Sequence, residues 1–181
     1  MAFDRALAAH LRAGGLVAYP TRGSFGLGCL PTHRPALRRL VRMKRRPLHK
    51  GLIVVADRIE RLRGLLSPLD AGQQARAAAR WPGHWTWLIP AAAKVPALLR
   101  GRHDKIAVRV DDYAPVRTLC AGLRTALVST SANRSGQRPA RTSRQVRQMF
   151  GTRVRLLSGR CERGARASTI ADLATGRILR A

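Results

Sequence analysis

The chain has 181 residues, 45% of them hydrophobic and only 4% aromatic. That fits one domain with a core of Leu, Val, Ile and Ala, and excludes a disordered tail. Against 9 acids stand 35 lysines and arginines, a formal net charge of +26, and a field of that sign draws polyanions, nucleic acid first among them. Only Lys44, Lys50, Lys94 and Lys105 are lysines. Genome base composition alone can produce such an arginine bias, but it does not explain the shortage of acids. Apolar runs such as Leu52-Ile53-Val54-Val55-Ala56 are strand-length, far short of the ~20 residues of a membrane-spanning helix. With an acid at Asp4 and no long apolar stretch after it, the expectation is a cytoplasmic protein without export or membrane. Cys29, Cys120 and Cys161 are odd in number and widely spaced, the pattern of reduced thiols rather than a disulfide framework or zinc knuckle.

Taken in order, Phe3, Leu7 and Leu11 recur at helical spacing before Gly14-Gly15, predicting a helix over 3–13. A buried strand follows over 16–19, ending at Pro20, then a glycine-bearing loop over 21–28. Leu37, Leu40 and Val41 predict a helix over 34–43. Strand 52–56 leads into helices over 58–66 and 70–80, followed by strands over 85–89 and 106–110. A helix near 115–123 precedes strand 126–130, and a helix near 143–149 precedes strand 154–158. Residues 169–173 and 177–180 flank Ala174-Thr175-Gly176 as a hairpin. Interleaved helices and strands define an α/β class with a mixed sheet and one domain over 1–181.

Four places hold polar residues that a core does not require. Pro20-Thr21 and the glycines after it stand at a strand end, where α/β sheets collect ligands and glycine lets backbone approach phosphate. A tight turn reads the same, and no Walker ending is present. Pro47 pushes Arg46 out of helical geometry, so an extended segment there aims Lys44 and Arg46 the same way, toward an anion such as a triphosphate. A solvated basic helix end is the plainer alternative. Ser129, Ser131 and Asn133 alternate after apolar 126–128, placing hydroxyls and an amide at a strand end; a polar turn accounts for them equally. Arg109 interrupts an apolar strand, either as its solvent face or as a grip for a carboxylate. There is no metal-ligand cluster, no nucleophile elbow and no paired carboxylates in these spacings. Cations, hydroxyls and backbone suit nucleotidyl transfer, which needs positioning and charge neutralisation more than a strong base.

These segments, in this order, resemble the YrdC family in its short single-domain form. They are Ala18-Tyr19-Pro20-Thr21, Phe25-Gly26-Leu27-Gly28, Lys44-Arg45-Arg46-Pro47, Lys50-Gly51-Leu52-Ile53, Arg80-Trp81-Pro82-Gly83 and Ala107-Val108-Arg109-Val110. Leu127-Val128-Ser129-Thr130-Ser131-Ala132-Asn133 with Ser135-Gly136 is the most telling. The resemblance implies a twisted mixed sheet flanked by helices, with a basic concave groove. It also implies the synthesis of threonylcarbamoyl-AMP from L-threonine, bicarbonate and ATP with Mg²⁺. The product would serve the modification of adenosine 37 in tRNAs reading codons that begin with A, with partner proteins of that pathway and contact to tRNA or double-stranded RNA. Carried over by position, Lys44, Arg46, Ser131 and Asn133 match the family's catalytic and nucleotide-binding set, and Thr21, Arg109 and Ser129 its threonine-binding positions. Lys105 would add a phosphate contact. Ser168, in a Pro-Ser-x-Ile segment that here lacks its proline, would add a nucleotide contact. The family's usual acid after Pro-Thr is replaced by Arg22. The chief competing reading is an RNA-binding module that uses the same groove without catalysis. The hydrogenase-maturation relatives of this domain are long chains with zinc-finger cysteines, a pattern this sequence lacks.

Overall fold

A computed structural model describes residues 5–181. Phe3, the first apolar position of the predicted opening helix, lies outside them. The elements run α1 (Arg5–Arg12), β1 (Val17–Pro20), β2 (Phe25–Gly28), α2 (Arg34–Lys44), β3 (Ile53–Ala56) and α3 (Ala71–Ala78). Then come β4 (Trp85–Pro90), α4 (Ala97–Arg100), β5 (Lys105–Val110), α5 (Ala114–Leu123), β6 (Leu127–Ser131) and α6 (Ser143–Phe150). The chain closes with β7 (Arg155–Leu156), β8 (Thr169–Asp172) and β9 (Ile178–Arg180). The nine strands among the described residues form one mixed sheet in the order β7-β1-β2-β6-β3-β5-β4-β8-β9.

Side chains alternate across a strand, and that alternation sorts the core into two layers. Val17, Tyr19, Val55 and Leu127 face one side, where Leu7 and Leu11 of α1 and Val116, Leu119 and Leu123 of α5 cover them. Ala18, Val54, Val128 and Trp87 face the other, against Leu37 and Leu40 of α2, Leu99 of α4, and Val146 and Phe150 of α6. Helices α3 and α6 both begin with a reciprocal capping box, Asp70 with Gln73 and Thr142 with Gln145, which satisfies amides left open in the first helical turn.

The structure differs from the sequence expectation in three elements. Residues 25–28 are a strand rather than part of a loop, paired antiparallel with β1 (Val17↔Gly28) and with β6 (Leu27↔Thr130). Gly28 is there because a Cβ would stand 2.3 Å from the Val128 carbonyl oxygen, closer than any real contact allows. The segment expected as a helix over 58–66 is two successive 3₁₀ turns, Ile59–Arg61 and Arg63–Leu65, interrupted too soon for an α-helical ladder to establish itself. The four-residue α4 carries too little periodicity to read.

Helix α5 stops at Arg124, whose φ of 56° is left-handed, a conformation that costs a non-glycine residue about 1–2 kcal/mol. Arg124→Gly is therefore expected to stabilise the fold, by about 0.5–1 kcal/mol once the extra freedom of glycine in the unfolded chain is counted. A higher urea midpoint at unchanged slope is the confirming result.

Candidate active site

Strand β6 pairs with β2 along one edge and β3 along the other, but the two partnerships differ in extent. With β3 the register runs Val55↔Leu127, Val54↔Val128 and Ile53↔Ser129, where β3 begins. With β2 it continues to Gly26↔Ser131. Thr130 and Ser131 therefore lie beyond the start of β3, and a cleft of about 590 Å³ opens there. Ser129, Thr130 and Ser131 form its floor; Thr21, Gly23, Ser24 and Gly26 form one wall and Arg46, Ile53 and Arg109 another. Residues 165–168, with Phe25, Pro139, Arg141, His84 and Arg180, complete it, and no acidic residue is among the lining.

Six of the nine residues predicted from sequence line this cleft: Thr21, Arg46, Arg109, Ser129, Ser131 and Ser168. Lys44 and Asn133 lie directly behind it. The Lys44 ammonium is buried and donates to the Ser131 carbonyl, to the Asn133 carbonyl at 2.7 Å and to Asn133 Oδ1 at 3.3 Å. Ser131 Oγ donates to the same Oδ1 at 2.6 Å, while Asn133 Nδ2 donates to Arg134 O and Gln137 O at 3.0 and 2.7 Å. One lysine thus ties down the turn that follows β6. Burial, with the Arg46 charge close by, pushes the Lys44 ammonium down to about 7.

The expected extended geometry from Lys44 to Arg46 is not what brings these cations together. Lys44 is the last residue of α2, and Arg45 takes a left-handed conformation with φ 51°. This turn is what re-aims the chain. Arg46 then folds back, donating from Nε and Nη2 to the Gly51 carbonyl at 3.1 and 2.6 Å. Arg109 is 5% exposed, so it is neither a solvent-face residue nor free to swing. Its Nε lies 2.7 Å and its Nη2 2.5 Å from Asp111 Oδ2, and Asp111 Oδ1 in turn accepts from the Tyr113 amide. Ser168 shares a 2.8 Å hydrogen bond with Thr86, and its carbonyl accepts from Arg180 Nη2 at 2.7 Å. Lys105 is not brought to the cleft: its ammonium pairs with Asp172 at 2.5 Å.

Arg22 also lies outside the cleft lining. It donates to Glu162 at 2.9 Å and to Asp112 at 2.7 Å, and its guanidinium carbon lies 5.6 Å from the centre of the Tyr113 ring. Two acids on neighbouring segments therefore accommodate the arginine that departs from the family pattern. Among the described residues no group of three or more His, Cys, Asp or Glu side chains is placed to hold a metal ion. No helix there is long and apolar enough to cross a membrane. All three cysteines are free.

The partners that sequence reasoning missed are Asp111, His84, Thr130, Arg141, Arg166 and Arg180. Asp111, an acid two residues beyond a strand arginine, was a readable signal. The arginines were not, since nothing in their spacing sets them apart in so basic a chain.

The fold and cleft define an α/β protein with a cation- and hydroxyl-lined site at a break in its sheet. The chain belongs to the Sua5/YciO/YrdC family, whose model, described as "Telomere recombination", matches residues 9–181. Among its relatives, the threonylcarbamoyl-AMP synthase of Methylobacillus flagellatus is 51% identical over 97% of this chain and 98% of that protein. The threonylcarbamoyl-AMP synthase of Thiobacillus denitrificans is 50% identical over 97% and 93%. Of solved structures, P. abyssi Sua5 complexed with L-threonine superposes with a TM-score of 0.86 at 29% identity, over 94% of this chain and 50% of that one. The present chain thus spans about half the length of Sua5. E. coli YciO matches at a TM-score of 0.82 and 23% identity over 97% and 86%, a likeness of fold.

Proposed function

We propose that the cleft activates carbamoylated L-threonine as an adenylate. The chain acts as a nucleotidyltransferase, converting L-threonine, bicarbonate and ATP into threonylcarbamoyl-AMP and pyrophosphate. The product serves threonylcarbamoylation of adenosine 37 in tRNAs reading codons that begin with A, through partner proteins that accept it, and the chain itself contacts RNA. One observation carries this reading: a single cleft holds both a pinned guanidinium, Arg109, and a strand end of hydroxyls beside Arg46. The first suits a carboxylate and the second suits phosphates. Relatives about half identical along nearly the whole chain bear the name of that enzyme.

In this reading the threonine amine and bicarbonate condense to a carbamate with loss of water. A carbamate oxygen forms the new bond to the α-phosphorus of ATP, and the bond to the bridging oxygen breaks, its electron pair leaving with pyrophosphate. Arg109 grips the threonine carboxylate, with Thr21 and Ser129 beside the amino acid. Ser131 orients the nucleotide, and Asn133 holds the Ser131 hydroxyl. Arg46 neutralises charge building on phosphate, and Lys44 supports it from behind the turn. Ser168 closes the nucleotide end of the cleft. The lining offers hydroxyls and no carboxylates, which suits Mg²⁺ arriving on the triphosphate and held mainly by phosphate oxygens and water.

The test is pyrophosphate release from ATP with Mg²⁺ and bicarbonate, with and without L-threonine. Threonine-dependent release is expected. Release indifferent to threonine would leave an ATP-cleaving activity with another acceptor and overturn the reading, and no release would overturn it in favour of a module that binds without catalysis.

A second measurement follows from the low-lying Lys44 ammonium. Burial, with the Arg46 charge close by, pushes the Lys44 ammonium down to about 7 in the free enzyme, so that a fraction of the molecules carries it neutral near pH 8. Phosphate in the cleft beside Ser131 favours the charged form and raises that value. ATP binding at pH 8 is therefore expected to take up protons, seen as a buffer-dependent calorimetric enthalpy that vanishes in Lys44→Met. Equal enthalpies in all buffers would remove Lys44 from the nucleotide's neighbourhood.

A further inference from the structure

A second cleft, of about 620 Å³, opens beside the C-terminal half of α2 and has no part in the chemistry above. Five arginines line it, Arg39, Arg42, Arg45, Arg134 and Arg153, with His10 beside them and no acidic residue among the lining. We propose that this cleft is a docking surface for the phosphate backbone of RNA, separate from the substrate cleft. The inference rests on the reading above only for its choice of RNA as the polyanion.

The two arginine-lined clefts differ in how their guanidiniums are held. In the substrate cleft four of the five lining arginines, Arg46, Arg109, Arg141 and Arg180, are fixed by hydrogen bonds to backbone or to Asp111, and only the Arg166 side chain has no such partner among the described residues. That rigidity suits a small ligand bound in one pose. In the second cleft Arg39 is tied to the Gly14 carbonyl, and Arg153 to Phe150 O and Met149 O at 3.0 and 3.1 Å. The side chains of Arg42, Arg45 and Arg134 have no hydrogen-bond or ion-pair partner among the described residues. Arg42 and Arg45 are exposed. Like charges gathered without a counter-charge repel one another, and an anion between them relieves the repulsion. Long, solvated and unanchored guanidiniums match a chain of phosphates taken in several registers better than one buried anion. A membrane surface fits less well, because it would also need apolar anchors. The exposed large hydrophobic residues, Leu48, Ile178 and Leu179, are not among the cleft's lining.

The placement adds a further point. Arg45 follows Lys44 and Arg134 follows Asn133, so these two of the five cleft arginines stand on the two segments that hold the nucleotide end of the substrate cleft. RNA docked here would lie against the back of that site without entering it.

The experiment titrates an unmodified, fluorescently labelled tRNA transcript by anisotropy across a salt series. It compares the parent protein with an Arg42→Gln/Arg45→Gly/Arg134→Gln variant. These side chains bond to nothing described, and glycine suits the left-handed backbone at position 45, so the fold is retained; a thermal melt checks it. The expected result is a loss of affinity of about 10–100-fold near physiological salt, with the slope of log K against log salt flattened by about 2–3. Threonine-dependent pyrophosphate release should stay within about twofold of the parent, since no side chain of that machinery is altered. An unchanged affinity and slope would overturn the proposal and move RNA to another face. So would a parent protein that fails to bind the transcript, whatever the pyrophosphate assay shows. A variant that loses binding to phosphatidylglycerol vesicles while keeping RNA binding would assign the cleft to lipid and overturn it too.

Discussion

Arg109→Lys is expected to raise the KM for L-threonine by about 100-fold while leaving the KM for ATP within about twofold, because a point charge replaces a two-pronged donor. Arg109 is already committed on one side. Its Nε and Nη2 both reach Asp111 Oδ2, leaving its remaining N–H groups for the cleft. Lysine has one ammonium and cannot hold Asp111 and a substrate carboxylate in the same geometry. Arg109→Ala is the poorer test, because it strands Asp111, 1% exposed, as an unpaired buried carboxylate at a cost of about 3–5 kcal/mol. An Arg109→Lys enzyme with its threonine KM unchanged would take the carboxylate away from this residue.

Lys44→Met is expected to lower kcat by about 10²–10³-fold, the range seen when one fixed electrostatic donor is removed from an active site. It should also lower stability. The ammonium serves the Ser131 carbonyl and both oxygens of Asn133, and each buried acceptor left without a donor costs about 1–3 kcal/mol. The two effects share an origin: without the lysine the turn after β6 loses its anchor, and Ser131 Oγ and Asn133 Oδ1 lose the geometry proposed above to orient the nucleotide. A variant that keeps kcat within about tenfold of the parent, with its melting temperature unchanged, would refute that arrangement.

The long, periodic elements were legible because burial writes its period into the sequence. Leu7 and Leu11 of α1, and Leu37, Leu40 and Val41 of α2, are buried as their spacing predicts. So are the alternating Ile106, Val108 and Val110 of β5. What stayed hidden follows from residues whose role depends on neighbours far along the chain. Gly26 and Gly28 read as a loop because strand propensity counts side chains, whereas here the absence of one lets β2 lie against β6. Lys44 and Arg46 were paired for the wrong geometric reason, since nothing local marks Arg45 as left-handed. Lys105 was assigned to phosphate by likeness of place. Its pairing with Asp172, 67 residues away, appears only once β4, β5 and β8 lie side by side. The resemblance to a family supplied the order of the motifs and the chemistry; the cleft's shape came from the unequal lengths of the two ladders on β6.

That inequality bears on how the protein holds together. One strand joins the two halves of the sheet, and past Ser129 it has a ladder on one side only. Substrates occupying the opening would touch Thr21 and Gly26 on one half and Arg46 and Arg109 on the other. They would act there as rungs that the backbone does not supply. Substrate bound there would thus add cohesion along β6 to what the packed layers on either face of the sheet already give.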